Sequence, residues 1–170
     1  MFWIERLSIF NLLKRLIRLK FPSVQAVTTV ELAEWLENDP ISDLIILDAR
    51  SEAEYAVSHV QGAKHLKAIS FDAILLQSRF AIAHLGVRSA ITPQQQGAIA
   101  HVPKIVVYCS IGYRSAKVAQ QLQQTRFYDV FNLEGGIFQW ANEQRPLFKD
   151  GQSTQLVHPY NSAWGKLLNQ

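Results

Sequence analysis

Lys104-Ile105-Val106-Val107-Tyr108-Cys109-Ser110-Ile111-Gly112-Tyr113-Arg114-Ser115-Ala116-Lys117 holds the chain's single cysteine between two kinds of pattern. The β-branched run Ile105 to Val107 reads as a buried strand, and a helical spacing begins at Ser115 and continues through Val118, Ala119 and Leu122. Cys109 therefore sits where a strand gives way to a helix. A loop Ser110–Arg114 wrapped around the sulfur would aim backbone N–H groups and the positive end of the following helix at one spot, with the Arg114 charge beside it. Such surroundings favour thiolate over thiol and lower a cysteine from its free value of about 8.5. Gly112 supplies the backbone freedom a tight cradle needs. A structural cysteine buried at a strand end is the alternative, and the Ser-x-Gly-x-Arg-Ser that follows Cys109 argues against it.

Working outward, Leu44-Ile45-Ile46-Leu47 is a continuous apolar run, as expected of a strand covered on both faces. Asp48 and Arg50 follow at its end, where a carboxylate and a guanidinium can pair, cap loops or approach a substrate; the structural roles are the commoner ones. Ser51 and Glu54 stand at capping-box spacing and open a short helix carrying Tyr55. His59-Val60-Gln61-Gly62-Ala63 leads into a brief strand, Ala63 to Leu66. His59 reads as a hydrogen-bonding residue before a tight turn in preference to a proton shuttle. Beyond the cysteine loop, a helix is expected over Ser115–Gln124 and a strand over Val130–Leu133. Glu134-Gly135-Gly136 then turns into a helix with Ile137, Phe138 and Trp140. Strands alternating with helices predict a parallel α/β sheet whose ligands bind at the carboxyl ends of its strands. Cys109, Asp48 and Glu134 fall at such ends.

Upstream, Val24 to Val27 is a short strand, and Thr28 with Glu31 begins a helix whose Val30, Leu32, Trp35 and Leu36 face inward until Asn38-Asp39-Pro40 stops it. Between the third and fourth strands, helices are expected over Ser70–Arg79, with Phe71, Ile74 and Leu75 inward and Ala81–Leu85 continuing it, and again from Thr92-Pro93-Gln94-Gln95. That stretch reads as a surface elaboration or a flap. His65, His84 and His101 show no ligand spacing, so no metal is assigned.

A length of 170 residues with 48% hydrophobic and 18% charged residues fits one domain with a real core. One cysteine excludes an internal disulfide and suits a reducing compartment, the cytoplasm. The net charge of +3 is concentrated: residues 1–20 hold Arg6, Lys14, Arg15, Arg18 and Lys20 against Glu5, which leaves the remainder at −1. A nucleic-acid-binding body is not indicated. On a helical wheel Ser8, Asn11, Lys14, Arg15 and Arg18 share one face of residues 1–21, and Ile9, Phe10, Leu12, Leu13, Leu16, Ile17 and Leu19 fill the wider arc. This basic amphipathic helix is too charged for a membrane span or a signal peptide. It suits docking on the body, on a second subunit, or on the inner membrane surface with Phe2 and Trp3 as anchors. Phe21-Pro22-Ser23 separates it from a body over 22–150. The tail 151–170 is expected to dock on that body or on the N-terminal helix, and its His158, Tyr160 and Trp164 could instead reach a substrate or be read by a partner protein.

Tyr108-Cys109-Ser110-Ile111-Gly112-Tyr113-Arg114-Ser115 resembles the active-site loop of rhodanese-type sulfurtransferases. Further matches come in order: Leu47-Asp48-Ala49-Arg50 with Glu54-Tyr55, then His59-Val60-Gln61-Gly62-Ala63, then Asn132-Leu133-Glu134-Gly135-Gly136-Ile137 with Trp140. The resemblance spans about residues 24 to 148, and Ser58 departs from it where the family usually has glycine. It implies a five-stranded parallel sheet with helices on both faces. It also implies a Cys109 persulfide, formed from a small sulfur donor such as thiosulfate and passed to a thiol or cyanide acceptor, with no cofactor. Arg114 would share the catalytic role, and Ser110, Ile111, Gly112, Tyr113 and Ser115 would form the substrate loop. Asp48, Arg50, His59 and Glu134 would support it. Phosphatases and arsenate reductases of related fold have one residue more between cysteine and arginine than the Ser110, Ile111, Gly112 and Tyr113 found here. A non-catalytic module that binds a partner is the remaining alternative, against which the intact Cys109 and Arg114 argue.

Overall fold

A computed structural model describes residues 2–38, 44–68, 104–124 and 129–169. Five parallel strands form its sheet: β1 Gln25–Val27, β2 Leu44–Asp48, β3 Lys64–His65, β4 Lys104–Tyr108 and β5 Val130–Leu133, in the order β1-β5-β4-β2-β3. β4 takes the centre because its residues are apolar in both alternating sets, so neither face needs water. Ile105 and Val107 pack with Leu47, Val130 and, from helix α4 (Tyr113–Gln124), Ala119 and Leu122. Val106 and Tyr108 face the opposite layer, with Leu32 of α2 (Thr29–Asn38) and Ile137, Phe138 and Trp140 of α5 (Gly136–Asn142). The short α3, Glu52–Val57, follows β2. This is the α/β sandwich expected from the alternation, and the β2–β4 register, Asp48 opposite Tyr108, sets their carboxyl ends side by side.

Both capping boxes form. The Thr28 hydroxyl accepts from the Glu31 amide and the Glu31 carboxylate accepts from the Thr28 amide, with the same exchange between Ser51 and Glu54. Three expectations need correction. α4 begins at Tyr113, two residues early, because the Gly112 carbonyl accepts from the Ala116 amide and draws Tyr113 and Arg114 into the first turn. Val30 is exposed, since two residues from the fully buried Leu32 places it about 200° around the helix. The third strand is only Lys64–His65, after which the chain tightens into a 3₁₀ turn, Leu66–Ala68. Helices expected over 70–101, with His84 and His101, lie outside the described residues.

The chain's two ends meet over the carboxyl edge of the sheet. Helix α1, Phe2–Lys20, buries Phe10 and Ile17, and Phe21 just beyond it, against the body, while Ile9, Leu12, Leu16 and Leu19 remain exposed. The wide apolar arc is thus split between a packed stripe and an open one. No helix among the described residues is long and apolar enough to cross a membrane. After α5 the chain makes an antiparallel hairpin, β6 Leu147–Lys149 and β7 Gln152–Thr154. Its turn, Asp150-Gly151, has both φ values positive, as a type I′ turn requires. The tail then returns to the body: Val157, Leu167 and Leu168 are buried, and α6 (Ser162–Gly165) carries Trp164. Ser58 explains itself here, since its buried hydroxyl donates to the Leu156 carbonyl at 2.6 Å and ties the tail down.

Candidate active site

Cys109 directly follows β4, and its backbone is pinned from the neighbouring helix. The Ile137 amide donates to the Cys109 carbonyl at 2.9 Å and the Phe138 amide to that of Ser110 at 3.1 Å. This close approach requires Gly136: a Cβ there would overlap the Cys109 carbonyl oxygen, and its φ of +57° is left-handed. Gly112, at φ +104°, then turns its amide back onto the Cys109 sulfur at 3.2 Å. Among the described hydrogen bonds, the Gly112 amide is the loop N–H that meets the thiol.

Arg114, in the first turn of α4, is aimed at the same place by a carboxylate. Its Nη1 donates to Glu54 Oε2 at 3.0 Å, and its Nη2 to Glu54 Oε1 at 2.7 Å and to Ser110 Oγ at 3.0 Å. Ser110 Oγ donates in turn to Glu54 Oε1 at 3.0 Å. Glu54 is almost wholly buried. Burial would raise its pKa, but the Arg114 hydrogen bonds, the Ser51 amide and hydroxyl and the Arg114 charge prevail and hold it down at about 2. For Arg114, burial works against the charged form, and the Glu54 hydrogen bonds together with its interactions with Cys109 outweigh it, so its pKa is raised. The guanidinium stays charged, already paired, and next to the sulfur.

Beneath the loop lies a second ion pair, this one fully buried. Asp48 Oδ2 accepts from Arg50 Nη2 and from the Tyr108 hydroxyl, each at 2.6 Å, and Arg50 Nη2 also donates to the Ser58 carbonyl. The Tyr108 hydroxyl accepts from the Val60 amide at 3.2 Å. Burial first, and then the Asp48 charge, push the Tyr108 hydroxyl well above its usual range, so it stays a donor. This cluster locks the ends of β2 and β4 together with the 58–60 turn.

A cavity of about 350 Å³ opens onto Cys109. Ser110, Ile111, Tyr113 and Arg114 line it from the loop and α4; Leu13, Leu16, Ile17 and Lys20 line it from α1; Tyr160 and Trp164 close it from the tail. Its walls are almost entirely apolar. Of the residues expected at the site, Cys109, Ser110, Ile111, Tyr113 and Arg114 thus share one cavity. Gly112 shapes its floor through the backbone. Ser115 is fully buried and not part of the lining, and Asp48 and Arg50 lie below. His59 stacks on Tyr55 with ring centroids 4.2 Å apart, away from the lining, and its backbone pairs with Phe148. Glu134 faces α1 instead, binding Arg18 at 3.0 Å.

Two contributions escaped the sequence reading. Glu54 was read only as a helix cap, which is half of what its carboxylate does. The α1 residues of the cavity wall carry no motif and only their amphipathic pattern points to packing, whereas Tyr160 and Trp164 of the tail are among the aromatic residues the sequence offers as able to reach a substrate.

Residues 28–143 match the rhodanese-like domain family. The chain belongs to that family. Among curated relatives, this rhodanese-like chain is 24% identical over 149 residues to the tRNA uridine(34) hydroxylase of Acaryochloris marina, covering 83% of this chain and 43% of that protein. It is 32% identical over 113 residues to the tRNA uridine(34) hydroxylase of Buchnera aphidicola, covering 64% of this chain and 30% of that protein. The chain therefore spans less than half the length of either. Among solved structures, the thiosulfate sulfurtransferase of Pseudomonas aeruginosa is similar at 18% identity with a TM-score of 0.54, over 91% of this chain and 25% of that one. At that identity the likeness concerns the fold.

Proposed function

We propose that this rhodanese-like chain is a sulfurtransferase that carries a sulfane sulfur on Cys109. The Cys109 sulfur attacks the outer sulfur of an anionic donor such as thiosulfate. A new S–S bond forms, the donor's S–S bond breaks, and its electron pair leaves on sulfite. The Gly112 amide and Arg114 lie where the persulfide's negative charge would develop. A thiophilic acceptor, thiol or cyanide, then removes the outer sulfur; with one cysteine in the chain the acceptor comes from outside. The observation that carries this reading is Cys109 at the floor of an open cavity, with an amide on its sulfur and a charged guanidinium beside it. Thiosulfate:cyanide transfer by the wild-type chain and by Cys109→Ser tests it: activity is expected in the first and none in a folded second, and transfer by the serine variant refutes the assignment.

A second reading comes from the relatives' printed name, action on uridine 34 of tRNA, and Lys20 of α1, which lines the cavity and could meet a phosphate, favours it. Hydroxylation removes two electrons from the uridine, so dioxygen and a thiol reductant must come from outside, one oxygen atom entering the base and the other leaving as water. Nucleoside analysis of tRNA incubated with the chain and both co-reactants checks it, a hydroxylated uridine supporting that activity and unchanged uridine removing it.

A further inference from the structure

Helix α1 has two apolar faces, and the body covers one of them. Phe10 and Ile17, about 20° apart on the helical wheel, are buried. Ile9, Leu12, Leu16 and Leu19 fill an arc of about 80° whose centre lies roughly 130° further round, and they are 47% to 69% exposed. This open stripe has a basic border. Arg15 lies about 40° beyond one edge and Lys20 about 20° beyond the other, both exposed, and residues 9–20 contain no acidic side chain. Tyr113 and Tyr160 are also exposed and line the same cavity as Leu16 and Lys20, so two aromatic rings extend the apolar surface from the end of α1 onto the body and the tail.

Charge and hydrocarbon together select what covers this face. A second copy related by a twofold axis would set one basic border against the other. A nucleic-acid backbone would be met by the cations, but the leucines between them would gain nothing from it. A bilayer with anionic headgroups suits both parts, because acyl chains take the aliphatic stripe while the long Arg and Lys stems carry their charges up to headgroup phosphates.

We propose that α1 mounts the protein on an anionic membrane surface. Ile9, Leu12, Leu16 and Leu19 enter the boundary between headgroups and acyl chains, Arg15 and Lys20 stay at headgroup level, and Phe10 and Ile17 keep the helix on the body. The helix lies in the plane of the surface, and the cavity that Leu16 and Lys20 share with Cys109 opens beside the bilayer.

The test is co-sedimentation of the full chain with vesicles of phosphatidylcholine alone and of equal parts phosphatidylcholine and phosphatidylglycerol. Binding to the anionic vesicles is expected to be at least about tenfold the stronger, each basic residue near such a surface contributing about fivefold, and raised salt should weaken it. Leu12→Gln combined with Leu19→Gln, at exposed positions outside the core, should reduce that binding by at least about tenfold with the melting temperature unchanged. Arg15→Gln should reduce it about fivefold. Val30→Gln, at an exposed apolar position on α2, should leave it as it was. Equal binding to both vesicles, binding to neither, binding that survives the double leucine substitution, or an equal loss in Val30→Gln overturns the inference. A dimer in light scattering that the double substitution returns to monomer, without vesicle binding, assigns the stripe to a second copy and overturns it too. A monomer that ignores both vesicles gives the stripe to a protein partner instead. Each of these results leaves the sulfurtransferase reading in place.

Discussion

Each oxygen of the Glu54 carboxylate joins the cysteine loop to something else: Oε2 accepts from the Ser51 amide and hydroxyl and from Arg114, and Oε1 accepts from Arg114 and Ser110. The helix cap and the orientation of the guanidinium are therefore one structure. Because Glu54 has a folded value of about 2 against an ordinary 4.5, its contribution is complete above about pH 4.5 and is lost as pH falls towards 2. The shift corresponds to on the order of 3 kcal/mol. Glu54→Gln should destabilise the protein at neutral pH by about 1–3 kcal/mol and flatten the fall of stability through that acid window. Urea unfolding at a series of pH values measures both, and an unchanged acid slope would show that the pair contributes nothing. Tyr108→Phe isolates the lower cluster. It leaves Asp48 and the buried Val60 amide each short of a partner, so a loss of about 1–3 kcal/mol is expected, with persulfide formation retained because Tyr108 does not line the cavity.

Two helices place the loop, and they do so by different means. α5 approaches so closely that Gly136 admits no side chain; in Gly136→Ala the Cβ would overlap the Cys109 carbonyl oxygen and stand 2.7 Å from that of Ser110. A loss of about 3 kcal/mol is expected from strain and overlap together, with sulfur transfer falling beyond what stability explains; wild-type thermal stability and turnover in that variant would contradict the packing described here. α1 is held mainly by hydrocarbon. The Arg18–Glu134 pair has its arginine 61% exposed, so Arg18→Ala should cost under about 1 kcal/mol, whereas Ile17→Ala, at a buried position, should cost about 2–5 kcal/mol. Thermal melts of the two variants decide, and the reverse ranking would show the ion pair to be the anchor.

Across the whole molecule, what the sequence revealed follows from what repeats in it. Ile105–Val107 and Leu44–Leu47 are apolar at every position, and only a doubly covered strand accommodates that, so the centre of the sheet was legible. Ser51 with Glu54 and Thr28 with Glu31 were legible as caps because capping depends on spacing alone. Less could be read wherever the outcome depends on a distant partner. The wheel of α1 shows a wide apolar arc and cannot say that Phe10 and Ile17 would be covered while Ile9, Leu12, Leu16 and Leu19 would not. Glu54 gains its second role from Arg114, sixty residues away. Ser58 looked like a minor departure until the Leu156 carbonyl supplied its partner. The hairpin at Asp150-Gly151 was a signal present and missed, since that dipeptide is a strong turn former. The motif residues built the chemistry, and the two chain ends, which carry no motif, built the cavity around it.

The most direct test of the central claim is the intact mass of the full chain after incubation with thiosulfate and removal of excess donor. A gain of one sulfur atom on Cys109, reversed by dithiothreitol and absent from Cys109→Ser, is the expected result. An unchanged mass, or the same gain in Cys109→Ser, would contradict it.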